Sequence, residues 1–210
     1  MDDESPPEQL DPFRYTPFTP RRLLLVGTGA LGVSFLPFWV KWLATVHPDV
    51  QVRVALTRSA RRFVSEEALA VLSRRAVIRD EWDDQHGVEA LHVTIAEWAE
   101  AVAVYPATAH FTARFALGLA DTPVLLGLQA TDAVIGIAPS YPPHAHRSPV
   151  LQRHVQTLRA LPRVVVQPTI PAVSATTGAL DDGSAGYLSQ MLSLMEERHS
   201  LLARSQRSAP

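Results

Sequence analysis

The chain has 210 residues, and 47% of them are hydrophobic, which is enough for one sizeable core and hardly enough for two. A formal net charge of -2 without any basic block gives no sign of binding to nucleic acid or to an acidic membrane surface. The sequence contains no cysteine, which excludes disulfides, thiolate catalysis and zinc sites of the zinc-finger type, so any redox chemistry needs a bound cofactor.

The first 20 residues, MDDESPPEQLDPFRYTPFTP, are acidic and rich in proline, and they offer little to bury. We therefore predict a mobile N-terminal arm at 1–20, or a segment that packs on a partner subunit. The arm does not resemble a secretory signal, and no apolar run in the chain approaches the ~20 residues of a membrane helix, so we expect a cytoplasmic protein without membrane contact. A single domain is predicted at 21–203, followed by a short tail at 204–210.

From residue 21 onward, short Leu-rich or β-branched runs alternate with amphipathic stretches of helical length. The runs predict strands at 23–26, 50–56, 101–105, 124–128, 134–137 and 164–166. Helices are predicted around the stripe of Leu36, Val40 and Leu43 and at 63–72, 111–119, 148–161 and about 187–203. This alternation is typical of βαβ units and predicts an α/β fold, with a parallel sheet covered by helices on both faces.

The segment at 168–186 follows the last of these strands and is rich in Pro, Thr and Gly. We predict an excursion here that can form a hairpin, of the kind that closes over a ligand. Thr176 and Thr177 lie near its expected tip.

The first strand runs into the sequence GTGALG, whose glycines have the G-x-G-x-x-G spacing of a dinucleotide-binding turn: Gly27, Gly29 and Gly32. That fingerprint also requires an acidic residue at the end of the second strand, where this chain has Thr57 and Arg58. NAD is therefore disfavoured, although Arg58 would suit the 2′-phosphate of NADP in a reductase. Two further interpretations stay open. Thr28 and Thr57 can surround a single phosphate at a helix N-terminus, or the glycines serve only close packing.

A longer segment, LHVTIAEWAEAVAVYPATAHFTARFALGLADTPV at 91–124, resembles the homo-oligomeric flavin-containing cysteine decarboxylases. That family includes lanthipeptide decarboxylases of the epidermin type and phosphopantothenoylcysteine decarboxylases. Its members have a strand ending in P-A-S-A-N-T beside the flavin, with a W-A-D sequence and a catalytic histidine upstream. The residues at the matching positions are His92, Trp98, Ala99, Glu100 in place of the aspartate, Pro106, Ala107, Thr108 in place of the serine, Ala109, and His110 in place of the asparagine.

The resemblance extends over about 21–165, and its departures concern the expected ligand contacts. APSYPPHAHRSP stands where the family has P-x-M-N-x-x-M-W, so that Pro142 replaces the asparagine and His146 the tryptophan. Ala30 replaces a serine in the first turn. Because proline has no polar side-chain group, we expect either that backbone groups or the imidazoles of His144 and His146 take over the contacts of the asparagine, or that the substrate binds in a different position.

The resemblance implies a Rossmann-like or flavodoxin-like doubly wound parallel sheet in a three-layer α/β/α arrangement, with strand order 3-2-1-4-5-6. The first and fourth strands would then be neighbours where the winding reverses, which is where open α/β sheets bind ligands. A flavin would lie in that crevice, with FMN as the usual cofactor of the family and FAD left open. The implied cofactor-binding residues are Gly27, Thr28, Gly29, Ala30, Thr57, Arg58, Pro106, Ala107, Thr108, Ala109 and His110.

The reaction implied by the resemblance is oxidative decarboxylation of the C-terminal cysteine of a lanthipeptide precursor, giving an aminoenethiol that leads to an aminovinyl-cysteine ring. His92 would act as the base on the thiol. We expect His92 to reach the flavin of a neighbouring subunit, because the flavin of its own subunit lies two strands away. The subunits would form a trimer, and four trimers would form a dodecamer. The implied substrate-binding residues are Pro142, His144, His146, Thr176 and Thr177.

Several alternatives remain at this point. The chain can instead be a non-catalytic flavin-binding regulatory subunit, an enzyme like phosphopantothenoylcysteine decarboxylase, or an NADP-dependent reductase. A metal site is not expected, since the histidines at 110, 144, 146 and 154 lack the spacing and the acidic partners that set ligand geometry.

Overall fold

A computed structural model describes residues 15, 17–82 and 90–207 of the chain. Its centre is a six-stranded parallel sheet with the order β3-β2-β1-β4-β5-β6, which confirms the predicted doubly wound topology. The strands of this sheet are β1 (Arg22–Gly27), β2 (Gln51–Leu56), β3 (Ile78–Arg79), β4 (Ala101–Thr108), β5 (Val134–Ser140) and β6 (Val164–Val166).

Seven α-helices of the described residues accompany the strands: α1 (Leu36–Val46), α2 (Glu66–Ser73), α3 (Leu91–Trp98), α4 (Ala109–Ala116), α5 (Pro123–Ala130), α6 (Pro149–Arg159) and α7 (Leu188–Arg207). A 3₁₀ turn, Leu31–Phe35, leads from the glycine turn into α1. Within the described ranges, no helix is both long and apolar enough to cross a membrane.

Alternate residues of β1 face opposite layers, as the period of a strand requires. Leu23 and Leu25 pack into a cluster that includes side chains of α1, α2 and α7. Leu24 and Val26 pack into a second cluster with side chains of α3, α4, α5 and α6. All four of these side chains are almost completely buried. The predicted three-layer arrangement is therefore confirmed, with one apolar core on each side of the sheet.

The winding of the sheet reverses between β1 and β4. Gly27 at the end of β1 leads into the glycine turn, and Thr108 at the end of β4 leads directly into α4. Because the two strands are parallel neighbours, both turns lie at the same edge of the sheet. This is the crevice where a ligand of an open α/β sheet is expected.

The prediction of a strand at 124–128 was wrong, because these residues belong to α5. The Thr122 hydroxyl accepts a hydrogen bond from the Leu125 N–H, and Pro123 occupies the first turn, so the helix begins with two ordinary start signals. Val124, Leu125 and Leu128 are all buried, and α5 packs on α3. A short helix buried this fully shows a continuous apolar run, which periodicity cannot distinguish from a buried strand.

The excursion after β6 contains an antiparallel hairpin of β7 (Ile170–Val173) and β8 (Leu180–Ser184). At the other end of the chain, the boundary expected at residue 21 falls inside packed structure. Phe18 is only 9% exposed, and Glu196 of α7 accepts hydrogen bonds from the N–H and hydroxyl of Thr19. The rest of the predicted arm, 1–14 and 16, lies outside the described residues. Helix α7 continues to Arg207, past the expected end of the domain at 203.

Candidate active site

The glycine turn after β1 and the turn after β4 form one wall of a cavity of about 730 Å³, which we call the crevice cavity. The β7–β8 hairpin and the loop after β5 form the opposite wall. Most of the lining is apolar or aromatic, as is usual for sites of small molecules. Its walls include Gly29, Ala30, Gly32, Phe35, Tyr105, Pro106, Thr108, Ala109, His110, Tyr141, Pro142, Thr176, Asp181 and Tyr187.

Thr28 connects the two turns. Its hydroxyl donates a hydrogen bond of 2.6 Å to the Pro106 carbonyl and accepts one of 2.9 Å from the Thr108 N–H. The side chain is 1% exposed, so both bonds are shielded from water. The hydroxyl proton of Thr28 is therefore committed within the protein. The residue fixes the two turns against each other, and it also lines the cavity that adjoins the crevice cavity.

A second cavity, of about 580 Å³, adjoins the crevice cavity and shares Gly29, Thr108 and His110 with it. We call it the side cavity. Its wall contains Thr57 and Arg58, as expected of a cofactor site, together with residues that sequence reasoning missed: Ser59, Asp80, Trp82, Arg114, Asp121 and Thr122. These residues come from four separate segments of the chain, so no local sequence pattern could have identified them as one site.

The charges around the side cavity are unevenly paired. Arg114 forms an ion pair of 2.5 Å with Asp121, and this contact holds the pKa of the Asp121 carboxyl below its ordinary value. Asp80 accepts a 2.8 Å hydrogen bond from the Val124 N–H at the start of α5, while burial raises the pKa of its carboxyl. Arg58 is exposed and has no ion-pair partner among the described residues. Among the described residues of the side cavity wall, it is the cation without an ion-pair partner.

The three glycines of the first turn have different roles. A Cβ on Gly27 would lie 2.7 Å from side-chain carbons of Leu36 and Leu56, so this glycine serves close packing and lines neither cavity. A Cβ on Gly29 would lie 2.5 Å from the Cβ of Ser59, so the first and second turns touch there. A Cβ on Gly32 would meet only Pro106, at 3.8 Å, and would occupy space in the crevice cavity.

The turn after β4 presents the first turn of α4 to both cavities. Thr108 is the N-cap of this helix, and its hydroxyl accepts the Phe111 N–H. The N–H groups of Ala109 and His110 precede the hydrogen-bonded part of the helix, which makes them available to an anion. Ala107 is completely buried in the core and lines neither cavity.

His92 lies in the first turn of α3 and lines neither cavity of its own chain. Its ring meets the indole of Trp82 edge to face, with 5.7 Å between the ring centroids. The Nδ1 atom is buried and has no hydrogen-bond partner among the described residues. This leaves Nε2 as the ring nitrogen that can exchange a proton with a ligand.

The expected substrate-binding histidines contact a carboxylate of the protein itself. The His144 N–H donates a 3.0 Å hydrogen bond to Oδ1 of Asp181 in β8. The Nδ1 atoms of His144 and His146 lie 3.5 and 3.6 Å from the Asp181 oxygens. Neither histidine lines the crevice cavity, whereas Pro142 does. At the hairpin tip Thr176 lines this cavity and Thr177 does not.

Sequence reasoning also missed three tyrosines in the crevice wall, Tyr105, Tyr141 and Tyr187. Burial raises the pKa of the Tyr105 hydroxyl, so this group stays protonated at neutral pH. Tyr105 directly precedes the PATAH sequence on β4, and its inward position there could have been read from the alternation along the strand. Across the described ranges, no group of three or more His, Asp or Glu side chains is arranged to hold a metal ion.

Comparison with known proteins gives consistent matches. The model of the family described as Flavoprotein matches residues 15–196. The cypemycin cysteine dehydrogenase (decarboxylating) of Streptomyces sp is 34% identical over 149 residues, which cover 71% of this chain and 77% of the relative. The crystal structure of the cypemycin decarboxylase CypD matches with a TM-score of 0.74 and 28% identity, over 90% of this chain and 98% of that one. The FMN-dependent cysteine decarboxylase SpaF matches with a TM-score of 0.67 and 27% identity, over 84% and 96% of the two chains.

Proposed function

The chain belongs to the flavoprotein family, and on that premise we propose that it is a flavin-dependent decarboxylase of peptides that end in cysteine. The observation that carries the proposal is the crevice cavity, in which the glycine turn and the PATAH turn meet in one wall opposite a hairpin. The relatives support the chemistry, since one is a decarboxylating cysteine dehydrogenase and another an FMN-dependent cysteine decarboxylase. The product would be an aminoenethiol, with loss of CO₂.

The residues of the crevice fit a flavin. Gly32 leaves the backbone bare at the cavity wall, and the aromatic rings of Phe35, Tyr105 and Tyr187 suit the flat faces of a fused ring system. The free N–H groups at the start of α4 lie where the two cavities join, and they suit a phosphate, while the guanidinium of Arg58 lies in the adjoining side cavity. We assign the ring to the crevice cavity and the phosphate to this junction.

FMN is the form that the FMN-dependent relative supports. The side cavity is the one observation that favours the larger FAD, because its 580 Å³ extend from the phosphate position toward Arg58 and Trp82. Trp82 is half exposed, and its indole is suited to stacking on the nucleotide base of FAD. Reconstitution with each flavin in turn decides between them.

We propose that the working unit is a homo-oligomer, a trimer that can assemble further into a dodecamer. His92 is the residue that motivates this. It lines neither cavity of its own chain, so it would have to enter the crevice of a second copy to act on a bound peptide. Size-exclusion chromatography with light scattering tests this assembly, and a monomer with full activity would contradict it.

In such an assembly the residues of the chain would perform three tasks. Nε2 of His92 would take the thiol proton of the terminal cysteine, since an imidazole accepts and returns a proton near neutral pH. The apolar crevice wall and the hairpin would exclude water from the reacting end of the peptide. The α4 N-terminus and Arg58 would hold the cofactor. A bound flavin supplies the two-electron oxidation of the cysteine side chain, and dioxygen restores it. The oxidised residue then carries a thiocarbonyl group β to its carboxylate, which allows CO₂ to leave.

The decisive experiment has two arms. The purified protein, reconstituted with FMN and with FAD, should show flavin absorbance, and mass spectrometry should identify a non-covalent flavin. His92→Asn should retain that flavin and lose turnover of a cysteine-ending peptide by about 10²- to 10⁴-fold, the usual contribution of a positioned proton acceptor. His154→Asn on α6 is the control.

The outcomes separate the alternatives. Absence of flavin after both reconstitutions would overturn the proposal, and a bound NADP would favour a reductase instead. Flavin binding without turnover in the unmodified protein would favour a regulatory subunit. Turnover of a small phosphopantothenoyl cysteine in preference to a peptide would favour the coenzyme-type branch of the family.

A further inference from the structure

The loop that follows β5, residues 141–147, is joined to the β7–β8 hairpin by few polar contacts. The Tyr141 N–H donates a 2.8 Å hydrogen bond to the Gly183 carbonyl, and the His144 N–H donates one of 3.0 Å to Asp181. The second Asp181 oxygen accepts the Gly183 N–H at 3.1 Å, so the carboxylate accepts one hydrogen bond from the loop and one from the hairpin. We call this contact between loop and hairpin the junction. Two of these three hydrogen bonds are therefore accepted by the side chain of Asp181.

The hairpin has little else to hold it in place. Val173 and Leu180, which pair across the hairpin, are 68% and 71% exposed. Gly178 at the tip has a left-handed backbone, and a Cβ there would find no neighbour within 4 Å. The hairpin nevertheless supplies a large part of the crevice wall, from Ile170 to Thr176 and at Asp181, Gly183 and Ser184. A wall with so little buried apolar contact of its own opens easily unless polar contacts fix it.

The loop side of the junction adopts an unusual conformation. His144 has a φ of 65°, a left-handed backbone that residues other than glycine seldom adopt. In this conformation its N–H reaches the Asp181 carboxylate. A strained residue persists where the surrounding contacts compensate for the strain, and the bond to Asp181 is such a contact. The same arrangement explains why His144 and His146 face Asp181 instead of the cavity.

Charged groups surround the junction on both sides. From the loop, the Arg147 guanidinium contacts the His144 imidazole, and the His146 ring lies against Asp181. His146 also shares a small cavity with Tyr141 and with Arg159 of α6. The hairpin contributes Asp181 and its exposed neighbour Asp182. The His144 N–H holds the pKa of the Asp181 carboxyl below its ordinary value, with help from both imidazoles, so the carboxylate is charged near neutral pH.

We propose that Asp181 is a positioning residue of the peptide site, which fastens the β7–β8 hairpin to the loop after β5 and thereby sets the affinity for the peptide. This inference rests on the proposed decarboxylase function, but the proteolysis experiment that tests it does not require turnover.

The matched variants are Asp181→Asn and Asp182→Asn, which remove the same charge from adjacent residues of one strand. Asn at 181 has one acceptor oxygen for two N–H donors, so one hydrogen bond to a charged acceptor is lost. In the flavin-loaded protein without peptide, we expect subtilisin to cleave Asp181→Asn within 174–179 about tenfold faster than the unmodified protein. Asp182→Asn should be cleaved at the unmodified rate. With peptide, Asp181→Asn should raise KM about tenfold and leave kcat within twofold.

Asp182 carries the same charge on the same strand as Asp181, so the two variants together separate positioning of the hairpin from a general loss of stability. Equal cleavage of the two Asn variants, or a KM effect shared by both, would overturn the proposal. The cleavage test needs no turnover, so an inactive protein with a fastened hairpin would refute the decarboxylase function alone.

Discussion

The turns at the carboxyl ends of β1 and β4 and the hairpin opposite them form two walls of one cavity, and they are held in different ways. Thr28 is buried and connects its two turns by hydrogen bonds shielded from water, between strands whose side chains fill both cores. The hairpin has exposed strands and is joined to the body by bonds to Asp181 and Gly183. A wall of the first kind can hold a cofactor permanently, and one of the second kind can admit and release a substrate.

The largest expected effect is on the buried wall. Thr28→Val keeps the shape of the side chain but leaves the Pro106 carbonyl and the Thr108 N–H without their partner. An unsatisfied buried group costs about 1 to 3 kcal/mol, so we expect the free energy of unfolding in urea to fall by about 2 to 4 kcal/mol. Flavin affinity, measured by fluorescence quenching, should fall as well. Thr28→Ser keeps the hydroxyl and is the control. A loss below about 1 kcal/mol for the valine variant would show that water or a shifted turn replaces both bonds.

A smaller effect is expected from shortening the exposed wall. Val173 and Leu180 are paired, so residues 174–179 can be replaced by Asn-Gly, which forms a two-residue hairpin turn. The change removes Ser174, Ala175 and Thr176 from the crevice wall and keeps Asp181. We expect KM for the peptide to rise about five- to tenfold, equivalent to roughly 1 kcal/mol of contact, with stability altered by less than about 0.5 kcal/mol.

Thr177→Ala is the matched control for the shortened hairpin, because Thr177 lies in the same tip but does not line the cavity. An unchanged KM in the shortened variant would place peptide recognition on the other wall. Loss of flavin in that variant would show instead that the two walls depend on each other, whereas we expect them to be independent.

The smallest effect concerns His47, far from both walls. Its ring is 6% exposed and packs against Tyr15, Phe18 and Trp42, and burial lowers its pKa from 6.5. Below pH 6.5 the unfolded chain therefore binds a proton that the folded chain does not, and the stability due to a neutral His47 is lost as the pH falls. The slope for one proton is at most about 1.4 kcal/mol per pH unit. His47→Phe should flatten the profile of unfolding free energy between pH 7 and 5, and an unchanged profile would contradict this.

Many features of the fold could be predicted because buried strands and start signals of helices leave local patterns. The runs at 23–26 and 134–137 are strands, and the stripe of Leu36, Val40 and Leu43 lies on α1. Residues 124–128 could not be assigned from their run, since both a buried strand and a fully buried short helix are apolar throughout. Among the predicted site residues, Gly29, Thr57 and His110 line the cavities, whereas Gly27 and Ala107 serve packing.

The sequence by itself determined the alternation of strands and helices and the turns that follow β1 and β4, because hydrophobic periodicity and turn residues act over a few neighbours. It also carried the family resemblance. Only the tertiary structure decided which groups meet: the Thr28 hydroxyl with Pro106, Arg114 with Asp121, and His144 with Asp181. These partners are separated by up to 78 residues, and a hydrogen bond or ion pair leaves no periodic mark in the chain. The side cavity and the fastening of the hairpin arise from such contacts, and for that reason they became visible only in the folded molecule.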